Sequence, residues 1–416
     1  MEKPLIGLLD CNNFFVSCER LFRPELKDRP VVVLSSNDGC VVARSKEIKD
    51  MGVPMGVPYF QIKDTLNKVD AVTFSSHFAL YRDISRRVFS VMKDELGLVE
   101  QYSIDEAFFV VKEEPERLVQ ELKEVVERRV GIPVSIGVAR TKTQAKYANS
   151  LAKKGNGIYV LNDTDWSERM VTVKLSEIWG VGGKTELAFK RHGLETVRDL
   201  LSSDKATIAK VFGVSGVRLQ QELAGNPVYV VSKKTEPQQS VLSSRSFSEA
   251  TTNIAVLHDS IAYHVRHVTT NMRAMNMSAN RIRVSIMPSR HSDFVLRGGS
   301  KEAVLTAPTN DSMILLKVAS QLLEELFEAD VPYKKAGVTL LGLCESEIGQ
   351  ETLFNYEKKE ENTVLMSVLD SLNKKIKKES VVIGSRLLNS AWQSKSEVRS
   401  PAYTTKWSDV AVVKAN

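Results

Sequence analysis

The sequence predicts an α+β chain built from several domains, and three observations carry that expectation. In the first 170 residues, short apolar runs that read as buried strands, PLIGLL (4–9), PVVVLS (30–35) and IPVSIGVA (132–139), alternate with segments of helical period. From 172 the texture changes to short helices around glycine-rich turns. After a polar stretch without periodicity, VSKKTEPQQS (231–240), the order β-α-β-β-α-β follows over 241–344, which is the split βαβ arrangement. A chain of 416 residues holds about two to four domains of ordinary size.

Each element has its own justification. The strand at 4–9 ends at Asp10, and Asn12-Asn13 then make a turn or cap before Phe14, Cys18, Leu21 and Phe22, which recur at helical spacing. After the strand at 30–35, the Gly- and Pro-rich segment 37–64 is expected to be irregular, with a helical piece at 43–51. Helix is predicted over 78–96, a strand pair around 98–111, helix over 115–130, strand over 132–139 and helix over 143–154. The stretches KLSEIWGVGGKTELAFKRHGLETVRDLL and ATIAKVFGVSGVRLQQELAG form a small helical domain over 172–225, with two echoing glycine hairpins. Beyond the linker, strands are predicted at 241–249, 280–287, 293–306 and 335–344, with helices at 253–275 and 311–328. Apolar residues alternate there with Arg281, Arg283 and Ser285, so one face of this sheet should be polar and basic. The remaining 346–416 is charged and partly helical over 363–379.

Composition narrows the class. The chain is 43% hydrophobic and 26% charged, ordinary for a soluble globular protein. No apolar run approaches the ~20 residues of a membrane span, and the amino terminus is apolar too briefly for a signal peptide. Cys11, Cys18, Cys40 and Cys344 form no CxxC pair and have no histidine pattern nearby, so neither zinc nor a disulfide framework is favoured. A cytoplasmic protein with free thiols and no membrane partner is expected. The net charge of +6 is modest, but its distribution is not even: residues 231–300 hold nine Lys/Arg against four acids. Such a region suits a polyanion, or else is a solvated basic face.

The chemistry concentrates at YSIDEAFFVV (102–111), where Asp105 and Glu106 interrupt an apolar run. Neighbours on a straight strand point to opposite faces, so both acids serve one site only at a strand end or hairpin tip. Asp10 sits in a matching context, after a buried strand and before a turn. Three acids at the ends of two strands make an oxygen-rich pocket of the kind Mg²⁺ prefers, and two such ions roughly 3.5–4 Å apart lower the barrier to in-line phosphoryl transfer. The backbone carbonyl of Cys11 is a further candidate ligand. The alternative is an N-cap role for Asp10 and an exposed turn for the other two. Two basic segments lie in the same part of the chain: GCVVARSKEIKDMGVPMG (39–56), with Arg44, Lys46 and Lys49, and ARTKTQAKYANSLAKKGNG (139–157), with Arg140, Lys142, Lys146, Lys153 and Lys154. They are candidates for a triphosphate, each one also readable as a solvated surface charge. Phe14 and Phe15 follow the Asp10 turn; one should face the core, which is the default for Phe14, and the other can stack on a sugar. The turn WGVGGK (179–184) aims backbone N–H groups outward, ready for phosphate oxygens, or simply joins two helices.

Taken in order, DCNNFFVSCE from Asp10, DGCVVARSKEIKDMGV, YSIDEAFF, ARTKTQAKYANSLAKKGNG and IWGVGGK resemble the motifs of the Y-family translesion DNA polymerases. The likeness is nearest to the UmuC-type, SOS-linked branch, which includes UV-damage repair polymerases of the UvrX kind. It extends through the closing SPAYTTKWSD to nearly the whole chain. The resemblance implies a right-hand architecture with a ferredoxin-like palm (1–11 and 78–170), small fingers (12–77), a helical thumb with a helix-hairpin-helix (171–232), a linker (233–240), a split βαβ little finger (241–346) and a tail (347–416). It implies two Mg²⁺ ions held by Asp10, Asp105, Glu106 and the Cys11 carbonyl, and Phe15 as the steric gate against ribonucleotides, where many relatives have Tyr. It gives nucleotide contacts to Phe14, Arg44, Lys49 and Lys146, with Lys46 standing where many relatives have Tyr. DNA contacts fall to Gly180, Gly182, Gly183, Lys184, Arg245, Arg281 and Arg283. Gln350, Leu353 and Phe354 in QETLF resemble the motif that docks bacterial polymerases on the sliding clamp. The implied partners are primer-template DNA, dNTP, the sliding clamp and an accessory protein of the SOS response, with a nucleoid-associated location. The implied activity is low-fidelity, template-dependent synthesis in the DNA damage response. The competing readings are a DNA- and clamp-bound accessory protein with vestigial or partner-dependent polymerase activity, and a nucleotide cyclase on a related palm.

Overall fold

The computed structural model describes residues 4–233, 237–290, 292–346, 359–376, 381–382, 392 and 396–412. The chain divides into two units, one of residues 1–235 with 397–416 and the other of 236–396.

The first unit opens with β1 (Leu5–Cys11) and α1 (Phe14–Phe22), followed by β2 (Val31–Leu34), β3 (Val41–Arg44), α2 (Lys46–Asp50), α3 (Tyr59–Lys68), β4 (Val72–Ser75) and α4 (Phe78–Leu96). Then come β5 (Val99–Gln101), β6 (Glu106–Val111), α5 (Pro115–Val130), β7 (Val134–Ala139), α6 (Lys142–Ala152) and β8 (Ile158–Val160). Five strands form one sheet in the order β5-β6-β1-β7-β8. β1 lies at its centre, antiparallel to β6 and β7, and is covered on both faces. Leu9 and Cys11 pack into a core shared with α4 and α5, whereas Ile6 and Leu8 face a second core that includes Ala145 and Ala148 of α6. That two-sided burial is why β1 reads as a continuous apolar run. Gly137 lets α6 ride close on β7, since a Cβ there would lie 2.1 Å from the Asn149 backbone nitrogen. Thr141 caps α6 by accepting from the Gln144 N–H.

β2, β3 and β4 form a separate three-stranded sheet, β3-β2-β4, in which β2 and β4 run parallel. The sequence reads as irregular over 37–64 apart from a helical piece at 43–51; α2 falls within that piece, while β3 and the start of α3 are additional. β3 has only four residues, half of them fully buried, and α3 buries Leu66 alone, so neither carries a period long enough to register. The free edge of β4 is paired at one point with the far end of the chain: Ser75 and Arg399 form a parallel bridge.

The rest of the first unit is helical: α7 (Asp163–Arg169), α8 (Gly183–Arg191), α9 (Val197–Ser202) and α10 (Lys205–Leu223). α10 is kinked at Gly213, which has φ 64°, so the second glycine echo is two helical pieces around a left-handed residue.

The second unit holds β9 (Ser240–Thr251), α11 (Ile254–Ala274), β10 (Met277–Pro288), β11 (Gly299–Thr309), α12 (Ser312–Leu326), β12 (Tyr333–Glu345) and α13 (Lys359–Ile376). The sheet is antiparallel in the order β11-β10-β12-β9, with α11 and α12 on its apolar face. The element order is the split βαβ expected. β11 starts at Gly299; the first part of the predicted strand is a short 3₁₀ turn at Val295–Arg297. α13 is fastened by Asp370, which accepts from Arg273 Nε at 2.7 Å, and Trp392 is buried with its Nε1–H donating to Asp259.

Candidate active site

The acids gather where the central sheet runs out. β1 ends at Cys11 and β6 starts at Glu106, and the register sets Asp10 opposite Glu106. Asp105 belongs to the tip between β5 and β6, and its carbonyl accepts from the Cys11 N–H at 2.9 Å. The tip is fixed by Ser103, whose Oγ accepts from the N–H of Asp105 and of Glu106 and donates to Asp105 Oδ1 at 2.6 Å. The two neighbouring acids therefore do sit at a turn.

Each carboxylate is held by its own partner. Lys153 Nζ lies 2.7 Å from Asp10, and Lys146 Nζ lies 2.9 and 3.1 Å from the Glu106 oxygens. Burial pushes the Asp10 carboxyl up to about 6; the charges of Glu106 and Asp105 push the same way, and Lys153 opposes them. Among the described residues no three acidic, His or Cys side chains are drawn tightly enough together to hold a metal ion as they stand. The donor set nonetheless fits a hard divalent cation. It is all oxygen, and it includes a buried carboxylate whose ionisation its neighbours oppose and a cation relieves.

Lys153 on Asp10 is joined by Lys49 from another segment, and Arg44 acts on Lys49 in turn. Burial lowers the Lys49 ammonium's proton affinity, the charges of Lys153 and Arg44 lower it further, and Asp10 works against them. Lys49 also donates to Asn13 Oδ1. Arg44 and Lys49 were candidates in the sequence. Lys153 was only one of five basic residues in its segment, and nothing in the spacing ranked it; it follows the last residue of α6, which the close approach at Gly137 lays over the sheet. Lys146 stands elsewhere, on Glu106 and 4.6 and 5.0 Å from the ring centres of Tyr102 and Trp179.

Phe15 is half-buried and stacks on Tyr81, with ring centres 4.4 Å apart and planes 15° from parallel; Phe78 meets it edge-on at 5.8 Å. Phe14 is 3% exposed and belongs to the core, so its side chain packs and is not free to contact a nucleotide. In the helical part, Gly180 takes φ +89° and Gly182 and Gly183 open α8; a Cβ at any of the three meets nothing within 4 Å, and Lys184 beside them is exposed.

In the second unit Arg281 and Arg283 do occupy the exposed sheet face, where both are paired with Glu302 at 3.1 and 2.6 Å. Arg245 does not share that face. The register runs from Arg245 to Ala336 to the buried Ile286, so Arg245 is on the helix-covered side, 5.1 Å from the Tyr263 ring and 5.5 Å from that of Trp392. Its expected DNA contact is therefore not made from the face that carries Arg281 and Arg283. Gln350, Leu353 and Phe354 lie outside the described residues.

Comparison with known proteins gives the family and the fold. A profile of the impB/mucB/samB family matches residues 9–150, that of the family's C-terminal domain matches 238–353, and a domain of unknown function matches 363–413. The chain is 33% identical to protein UmuC of Salmonella typhimurium, over 99% of this chain and 100% of that one. It is 28% identical to DNA polymerase IV 1 of Halalkalibacterium halodurans, over 91% of this chain and 92% of the other. Among solved structures, a Y-family DNA polymerase chimera of Dbh and Dpo4 superposes with a TM-score of 0.68 at 22% identity, covering 81% of this chain and 98% of that one. An insertion ternary complex of Dbh DNA polymerase gives 0.54 over the same shares. Among the described residues no helix is long and apolar enough to cross a membrane.

Proposed function

This chain belongs to the impB/mucB/samB family, the UmuC-like branch of the Y-family translesion DNA polymerases, and is a DNA-directed DNA polymerase of the DNA damage response; we propose that it extends a primer by two-metal nucleotidyl transfer at Asp10, Asp105 and Glu106, with low fidelity. The observation that carries the site is the register pairing of Asp10 with Glu106, with Asp105 tied to the same strand end through the Cys11 N–H.

Asp10, Asp105 and Glu106, with the Cys11 carbonyl, are the groups that would hold Mg²⁺. When bound, such ions supply activation of the primer 3′-hydroxyl and neutralise charge on the leaving pyrophosphate. The chain's own residues do the rest. Lys153, Arg44 and Lys49 orient the triphosphate, which replaces Asp10 on Lys153 and the Asn13 amide oxygen on Lys49. Phe15 lies against the sugar and leaves no room for a 2′-hydroxyl. The open glycine turn at 180–183 with Lys184, and the Arg281/Arg283 face, take backbone phosphates without reading bases. The small three-stranded fingers sheet touches the nascent pair little, which admits a damaged template and lowers selectivity. Gln350, Leu353 and Phe354 are proposed to dock on the sliding clamp, and an accessory SOS protein is a further proposed partner.

Primer extension with Mg²⁺ and dNTPs on intact and lesion-bearing templates tests this reading. Asp105→Asn and Glu106→Gln proteins should bind primer-template and fail to extend it. Normal extension by either variant rejects the site.

A further inference from the structure

The domain of unknown function that closes the chain ends in a segment that returns to the first unit. There it behaves as a peptide ligand of the fingers. The Ser75 N–H donates to the Val398 carbonyl at 3.1 Å, the Val398 N–H to Ser75 Oγ at 3.2 Å, and the Glu397 N–H to Asp38 at 3.0 Å. Tyr403 then stacks on Phe22 of α1, with ring centres 4.6 Å apart and planes 7° from parallel. The segment meets the free sheet edge at a single parallel bridge, Ser75 with Arg399, made within one molecule.

What the segment delivers is Ser400, which is buried. Its Oγ donates to Glu19 Oε1 at 3.1 Å and sits 3.1 Å from His77 Nδ1. With the serine hydroxyl donating to Glu19, His77 donates to it from Nδ1; burial and the nearby Arg399 charge hold its pKa down at about 4, which keeps the ring neutral near pH 7. Glu19 is fully buried on α1, four residues after Phe15, and burial raises its pKa. The same Oε1 accepts the Tyr81 hydroxyl at 2.6 Å. Tyr81 is the ring on which Phe15 stacks. A buried chain of contacts therefore runs from the C-terminal segment to the aromatic beside the nucleotide: Ser400, Glu19, Tyr81, Phe15.

We propose that Ser400, Glu19 and Tyr81 are positioning residues for the sugar gate, and that the docked segment 397–403 sets how strongly the enzyme rejects ribonucleotides. The idea rests on the reading of Phe15 as the gate. A gate works by excluding one oxygen atom, so a ring displaced by a fraction of an ångström admits it. Anchoring Tyr81 at its hydroxyl fixes the far end of the ring that backs Phe15. Glu19 is fixed in turn by a residue that arrives from the other end of the chain.

The test is single-nucleotide insertion by the full-length protein, comparing kcat/KM for a dNTP and the matching rNTP, with primer-template affinity and Tm measured alongside. Ser400→Ala and Tyr81→Phe should each lower the dNTP/rNTP ratio by about five- to tenfold, while dNTP insertion stays within about threefold of the parent. Glu19→Ala should do the same, and Glu19→Gln, which keeps an acceptor for both hydroxyls, should restore the ratio. In a Phe15→Ala background, Ser400→Ala should change the ratio no further. If Phe15→Ala collapses the ratio and neither Ser400→Ala nor Tyr81→Phe moves it, the positioning role is wrong and the gate stands. If Phe15→Ala leaves the ratio unchanged, the gate reading itself falls, and the positioning role with it. Equal losses with dNTP and rNTP mean a purely structural network and also overturn the proposal.

Discussion

Two ion-paired acids of this molecule invite comparison. Asp10 with Lys153 lies at the buried end of a central strand, its carboxyl side chain 12% exposed; Glu302 with Arg281 and Arg283 lies on an open sheet face. Both are carboxylates within 3.1 Å of a cation. Burial moves the first up to about 6 despite its lysine, whereas the arginines hold Glu302 below the usual carboxylate range. The same pairing thus marks opposite situations. At Asp10 charge is confined and wants a cation, so the site has specific chemistry. At Glu302 the pair is solvated and exchangeable, which supports the proposal that this face takes backbone phosphates.

The largest effects that would break this contrast lie at the buried end. Asp105→Asn or Glu106→Gln should lower primer extension by at least about a thousandfold in single-turnover assays while primer-template affinity holds. Lys153→Ala should raise the dNTP KM by about tenfold, and more than Lys146→Ala does, because Lys153 and Arg44 both act on Lys49 while Lys146 faces Tyr102 and Trp179. A stability titration sharpens the comparison. The folded chain binds the Asp10 proton more tightly than the unfolded chain does, so this group's contribution to stability falls as pH rises from about 4 to about 6 and stays low above that. Asp10→Asn should therefore stabilise the protein by about 1–2 kcal/mol at pH 8, with the gain absent at pH 4, in denaturant melts without divalent metal. Glu302→Gln gives no such pH-dependent gain if the contrast is right. The smallest effect belongs to the open face. Arg283→Ala should reduce the salt dependence of DNA binding by about one unit of slope, and Arg245→Ala should leave it unchanged.

How much of this could be read in advance follows from how local each signal was. The strand that ends at Asp10 and the turn at 102–106 announce themselves because an acid in an apolar run needs a reason, and the structure sets these positions across from one another. The helices 78–96 and 115–130 match α4 and α5 to the residue, since both carry a clean period and end at Gly97 and Gly131. Arg245, given a DNA contact by the resemblance alone, has its strand face written in the sequence: Val241 and Phe247, both buried, lie an even number of positions from it on the same strand, so alternation puts it on the covered side. Lys153 was beyond sequence reading, because its place beside Asp10 depends on how closely α6 lies on β7. The role of 397–403 was hidden for the same reason at longer range, since its partners Glu19, Ser75 and His77 stand more than 300 residues away.

That distance has a consequence for how the chain folds. The segment 397–403 seats against α1 and β4, more than 300 residues earlier, and contacts of such separation are slow to form. Until it docks, β4 keeps an open edge at Ser75 and Glu19 lacks the Ser400 hydroxyl. A variant lacking 397–403 keeps Asp10, Asp105 and Glu106 and loses the contacts that close the fold behind α1.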